Sequence, residues 1–174
     1  QEAQEIMGVT VQFDSGHSLT IEGRLIARGA DKQGIKFTPK GEQKPGAWGG
    51  ILFEDTSIDA KFDAAGNYVS GSILQYCTVE FAKWAVTGNS ASPFIDHCVI
   101  SNNSSRGISI FNSKGNIVVI RDSTIANNEG GISVEGSENV TVIKNTVTGN
   151  IVKGYGGGIY VKGGSAILIM NYEI

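Results

Sequence analysis

Proline occurs three times and cysteine twice in the 174 residues, and no apolar run comes near the ~18 residues that a membrane-crossing helix needs. No apolar stripe at helical spacing survives inspection, so the chain is not a bundle of amphipathic helices. A basic excess is missing as well: 14 Lys and Arg face 17 Asp and Glu, for a net charge of −3 and a pI near 5.4. Binding driven by phosphate neutralisation is thereby disfavoured, and nucleic acid is not expected as a partner. No charged–apolar–small signal segment opens the chain, which begins at Gln1 and not at Met. A start of that kind suggests a processed, exported protein or a piece of a longer one.

What is present in quantity is glycine, 24 residues, about double the usual ~7%. It is accompanied by many Asn, Ser, Val and Ile, the composition of short strands with frequent turns. The stretches FIDHCVISNN…GISI (94–110), VIRDSTIANN…GISV (119–134) and VIKNTVTGN…GGIYV (142–161) repeat one pattern. Superposing Ile100, Ile125 and Val147 aligns Asn103, Asn128 and Asn150, and also Cys98, Ser123 and Asn145. Matching positions recur after 25 and then 22 residues. That spacing is too short for a domain and suits one turn of a solenoid.

Along the chain, residues 1–8 read as a polar lead-in or cap. Alternating Val9, Val11 and Phe13, then Leu19 and Ile21, then Leu25 and Ala27, mark short period-2 strands. Polar loops are expected at 38–48, 54–71 and 149–157. From Leu74 the inward positions become regular: Leu74, Val79 and Val86, then Ile95, Ile100 and Ile108, then Ile120, Ile125 and Ile132, then Val142, Val147 and Ile159. Residues 1–174 form a single domain by this reading, with the last rung broken off mid-turn at Ile174. Such an end exposes strand edges, which motivates end-to-end self-association or continuation into a longer chain. Asn103, Asn128 and Asn150 are expected to form a ladder at a sharp turn, where asparagine tolerates left-handed dihedrals and its amide can bond its own column neighbours, with Gly107, Gly131 and Gly158 following where positive φ or close approach is needed. Cys77 and Cys98 fall at one repeat position on adjacent rungs, so they are either two stacked buried thiols or, in an oxidising compartment, a disulfide.

This pattern, with IVVIRDSTIANNEGGISV as its clearest instance, resembles the right-handed parallel β-helix repeats of pectate-lyase-like proteins and of bacterial and archaeal secreted or surface proteins. The opening segment from Leu19 to Phe53 looks like the first turns common in those surface proteins. The resemblance implies an all-β, right-handed parallel β-helix of about six to seven rungs. It also implies an extracellular or cell-surface location and polysaccharide as the natural partner class. It leaves activity open, because the same repeats carry lyases, hydrolases, epimerases, adhesins and passive scaffolds.

Outward side chains of successive rungs lie ~5 Å apart, so functional groups of a solenoid gather by column. The column Tyr76, His97, Asp122 and Lys144, beside Asp96 and Arg121, brings charges of both signs together. His97 or Lys144 could act as base, Arg121 as electrostatic partner and Asp96 or Asp122 as orienting group. Alternating charges that pair across rungs explain the same column without chemistry. The Gly-His-Gly and Arg-Ile-Lys motifs of polygalacturonase-type hydrolases are absent, and Asp96 and Asp122 stand in different columns, unlike the calcium ligands of pectate lyases. The balance therefore falls on a non-catalytic structural or adhesive module that binds polysaccharide, with a lyase or hydrolase as the alternative and a filament subunit as a third reading. Trp48, Tyr76, Trp84 and Asp96 are the candidate ligand contacts, the aromatic rings by stacking on a sugar face. Asp55, Asp59 and Asp63 form an oxygen-rich loop that could hold a structural calcium, though the closing acidic ligand is lacking. No other cofactor is expected.

Overall fold

The computed structural model describes residues 8–113, 115–152, 157–163 and 167–170. The expected lead-in, apart from Gly8, and the break at Ile174 lie outside the described residues. Three strands, β1 (Thr10–Phe13), β2 (Ser18–Ile21) and β3 (Ile26–Arg28), make the first rung. The second is β4 (Ile35–Pro39), β5 (Gly50–Phe53) and, after a hairpin of β6 (Lys61–Phe62) and β7 (Tyr68–Ser70), β8 (Ile73–Gln75). The third is β9 (Cys77–Glu80), β10 (Val86–Asn89) and β11 (Phe94–Asp96). The fourth is β12 (Val99–Ser101), β13 (Arg106–Phe111) and β14 (Val118–Arg121), and the fifth β15 (Thr124–Ala126), β16 (Gly130–Glu135) and β17 (Val140–Ile143). β18 (Thr146–Thr148), β19 (Ile159–Lys162) and β20 (Ile167–Met170) complete the sixth. Like strands of successive rungs pair in parallel, giving three six-stranded sheets around one axis.

The register is the one the repeat specifies. Val79 pairs with Ile100, Ile100 with Ile125 and Ile125 with Val147 in the first sheet. Val86, Ile108, Ile132 and Ile159 stack in the second, and Leu74, Ile95, Ile120 and Val142 in the third. These columns fill the interior, and nearly all of them from the second to the fifth rung are fully buried. Removing each such side chain from water contributes roughly 2 to 3 kcal/mol, offset in part by chain ordering.

The three corners of the solenoid share one construction. A residue in the left-handed region leads, and the next side chain points inward. Between the third and first sheets the left-handed residues are Tyr76, His97, Asp122 and Lys144 (φ 50–54°). Between the first and second they are Phe81, Asn102, Asn127 and Gly149, and between the second and third Ser90, Asn112, Gly136 and Gly163. The left-handed conformation that asparagine tolerates falls not on Asn103, Asn128 and Asn150 but on the residue before each. The glycine expectation is corrected in part. Gly107 and Gly131 do not have positive φ, and only close approach restricts them; a Cβ on Gly131 would meet the Gly158 carbonyl at 2.1 Å, whereas one on Gly158 would meet nothing.

The inward corner residues carry the asparagine ladder. Asn128 Oδ1 accepts from the Asn103 backbone N–H (3.1 Å) and from Asn103 Nδ2 (2.7 Å). Asn150 Oδ1 accepts likewise from the Asn128 N–H (2.9 Å) and Nδ2 (3.1 Å), and Asn103 Oδ1 accepts from the Ala82 N–H. Each amide also reaches back to the carbonyl of Val79, Ile100 or Ile125. A second ladder follows the same rule: the Cys98 N–H donates to Ser123 Oγ and the Ser123 N–H to Asn145 Oδ1. At the third corner the Ser113 N–H donates to Ser137 Oγ. A corner amide cannot join the sheet ladder, so a side chain from the following rung satisfies it.

Candidate functional site

Asp96 is the most constrained charge on the candidate face. Its side chain is fully buried, and its carboxylate accepts from Gln75 Nε2 (2.6 Å), His97 Nδ1 (2.9 Å) and Arg121 Nε (2.9 Å). Burial pushes this carboxyl up, but the hydrogen bonds from Arg121, Gln75 and His97 and the Arg121 charge together outweigh it and hold it below the usual carboxylate range. Burial also removes Asp96 from the set of ligand contacts the sequence suggested.

The four expected catalytic candidates do not converge. Arg121 is held by Asp96, with its guanidinium 4.9 Å over the Phe94 ring and its Nε 3.8 Å from Asp122. His97 packs against Tyr76, ring centroids 4.7 Å apart, and with Asp122 these two line a shallow depression of about 370 Å³. Lys144 stands exposed one rung further on and does not line it. Among the described residues, Asp96, His97 and Asp122 are the one group of three side chains able to bring metal-ligand atoms within 4.8 Å of one another. The Asp96 carboxylate in that group already serves Arg121 and Gln75.

Asp55, Asp59 and Asp63 do not gather around a cation. Asp63 closes its own turn, accepting from the N–H groups of Ala65 and Asn67 and from Asn67 Nδ2. Asp59 anchors the excursion to the solenoid through the Ser92 N–H (2.6 Å) and Asn116 Nδ2 (2.9 Å). Burial raises the Asp59 carboxyl against the Ser92 bond, helped by the nearby Asp55 charge. The loop expected at 54–71 is thus a built element. Its β6–β7 hairpin lays Phe62 and Tyr68 over Phe94 and Ile73, forming a small second core on the outside of the third sheet.

Trp48 is likewise withdrawn from any ligand. It is wholly buried, stacked on Phe13 with ring centroids 4.2 Å apart, and its Nε1–H donates to the Glu80 carbonyl. Cys77 and Cys98 are free buried thiols whose sulfurs donate to the carbonyls of Ala27 and Leu74, on strands of the third sheet. Burial first, and the neighbouring Cys77, push the Cys98 thiol well up.

Trp84 alone of the two tryptophans faces solvent, 51% exposed. It walls a groove of about 340 Å³ on the outer face of the second sheet, whose floor includes Leu52, Thr87 and Ser109. Leu52, Thr87 and Ser109 stack in register on β5, β10 and β13. Val86 pairs with Ile108, so Trp84 and Arg106, each two residues earlier, occupy successive rungs at the same corner. Phe111, at the far end of β13 and on the same face as Ser109, also lines the groove. Arg106 and this groove were not among the sequence candidates. The repeat hides them, because column positions occupied by Trp84, Arg106 and Gly130 share no residue type.

Three parallel sheets wound about one axis, with inward aliphatic columns and polar corner ladders, define a parallel β-solenoid. The family model of the right-handed beta helix region matches residues 4–174, and the chain belongs to that family. No curated protein and no solved structure matches the chain.

Proposed function

We propose that this chain is a non-catalytic saccharide-binding module displayed outside the cell. The observation that carries this reading is the Trp84 groove. An indole with half its surface in water, beside a row of hydroxyl-bearing and aliphatic side chains at strand spacing, suits the alternating apolar faces and hydroxyl edges of a sugar chain. The extracellular assignment rests on the likeness of the opening turns to those of secreted β-helix proteins. A binding role in preference to catalysis is supported by the state of the charged face, where Asp96, Arg121 and His97 satisfy one another around a buried carboxylate.

The test is retention of the protein on a panel of immobilised polysaccharides, with release of unsaturated or reducing sugar ends followed in parallel. Retention without product, lost in Trp84→Ala, is the expected result. Product that disappears in Arg121→Ala or Lys144→Ala would replace the binding module with a lyase or hydrolase.

A further inference from the structure

We infer that the Trp84 groove takes an acidic saccharide, one bearing carboxylate or sulfate groups, and that Arg106 is the residue that selects it. This rests on the saccharide-binding reading of the same groove and adds the charge of the ligand. Among the described residues, Arg106 is the one charged side chain that lines the groove. Among the described residues its buried Nε has no hydrogen-bond partner and no acidic group forms an ion pair with the guanidinium. Such an arrangement is costly, since a guanidinium half removed from water ordinarily finds a carboxylate. Elsewhere on this chain that rule is obeyed: Arg121 has Asp96 and Lys36 has Glu80.

A second cation stands at the rim. Lys83 Nζ lies 4.4 Å over the Trp84 ring, exposed and in no ion pair among the described residues. Two uncompensated cations therefore flank one aromatic wall, in a protein whose net charge is −3. The local sign is opposite to the global one. A bidentate guanidinium recognises the planar carboxylate of a uronic acid, or the oxygens of a sulfate ester, by paired N–H donation. The hydroxyls of Ser105, Thr87 and Ser109 lie within the same groove for the ring oxygens and hydroxyls of the sugar.

The experiment compares retention on polygalacturonate with that on its fully methyl-esterified form and on a neutral glucan, for wild type, Arg106→Gln, Arg106→Lys and Trp84→Ala, with thermal unfolding as the check on folding. Wild type should prefer the acidic polymer, and the preference should shrink between about 50 and 500 mM salt as the charges are screened. Arg106→Gln should weaken binding to the acidic polymer about tenfold or more and leave the neutral polymers unchanged. Arg106→Lys should fall between, because it keeps the charge and loses the fork. Equal wild-type affinity for acidic and neutral polymers would overturn this inference while leaving the saccharide module standing. No binding to any polymer would overturn both. Binding of poly-glutamate as tightly as polygalacturonate, insensitive to Trp84→Ala, would show an acidic peptide site and overturn the inference as well.

Discussion

Replacing Asn128 by alanine removes the middle of the asparagine ladder, and the consequence can be worked from its four hydrogen bonds. Asn128 Oδ1 is the acceptor for the Asn103 backbone N–H, and it also receives Asn103 Nδ2. Its own Nδ2 donates to the Ile100 carbonyl and to Asn150 Oδ1. Asn103 Nδ2 keeps the Val79 and Ser101 carbonyls after the change, so it is not orphaned. The Asn103 N–H has no such second partner, and stranding a buried amide costs about 2 kcal/mol. With the other lost bonds at some tenths of a kcal/mol each, the total is about 3 kcal/mol. For a urea m-value of about 2 kcal/mol/M, the midpoint should move down by about 1.5 M with an unchanged slope. The control is Asn139→Ala, an exposed asparagine outside the ladder, which should move it by less than about 0.3 M. A midpoint for Asn128→Ala within that control range would refute the argument that corner amides depend on the following rung.

Other expectations follow from the corners and the buried groups. Lys144 holds a left-handed conformation with an ordinary side chain (φ 54°), so Lys144→Val should lower stability by about 1 to 2 kcal/mol while Lys144→Gly leaves it equal or slightly higher; thermal melts of the two decide. The Asp96 carboxyl sits below its unfolded value of about 3.9. Its stabilisation is therefore complete above that pH and drains as pH falls through the lower folded value. Asp96→Asn should be clearly less stable than wild type at pH 7, with the gap closing below about pH 4 in urea titrations. Cys77 and Cys98 should both resist a thiol reagent in the native protein and both react once it is unfolded, since burial and a raised Cys98 thiol remove the reactive thiolate; a fast-reacting thiol in the folded state would contradict their placement.

The columns that repeat are legible in the sequence, because a solenoid writes each inward position several times. Ile100, Ile125 and Val147 could be superposed by eye, and their pairing follows from it. Left-handed corners were harder to read. Tyr76, His97, Asp122 and Lys144 are not the Gly or Asn that usually announce positive φ, and their polarity suggested a reactive column instead. Asn103, Asn128 and Asn150 carried the opposite signal, a turn residue type in a position whose task is to satisfy its neighbour. The β6–β7 hairpin was hidden because its apolar residues, Phe62 and Tyr68, are scattered among acids and glycines and pack on Phe94 and Ile73 from other rungs. Trp84 was legible as a ring able to stack on a sugar, but the groove it walls and Arg106 within it were not, being assembled from non-repeating positions on neighbouring rungs.

The ladder bonds of the inward corner residues described here all point the same way, from the backbone of one rung to the side chain of the rung after it. A rung is thus left chemically incomplete by its own sequence and is finished by its successor, as a course of bricks is keyed by the one above. The interchangeable unit is therefore not the rung as drawn but the seam between two rungs. Inserting a second copy of residues 103–127 would supply both a donor for the old seam and an acceptor for the new one, whereas cutting within that span would leave a corner amide facing nothing. Lengthening by whole periods keeps each seam complete, whereas point changes at the corners are felt one rung earlier than the site at which they are made.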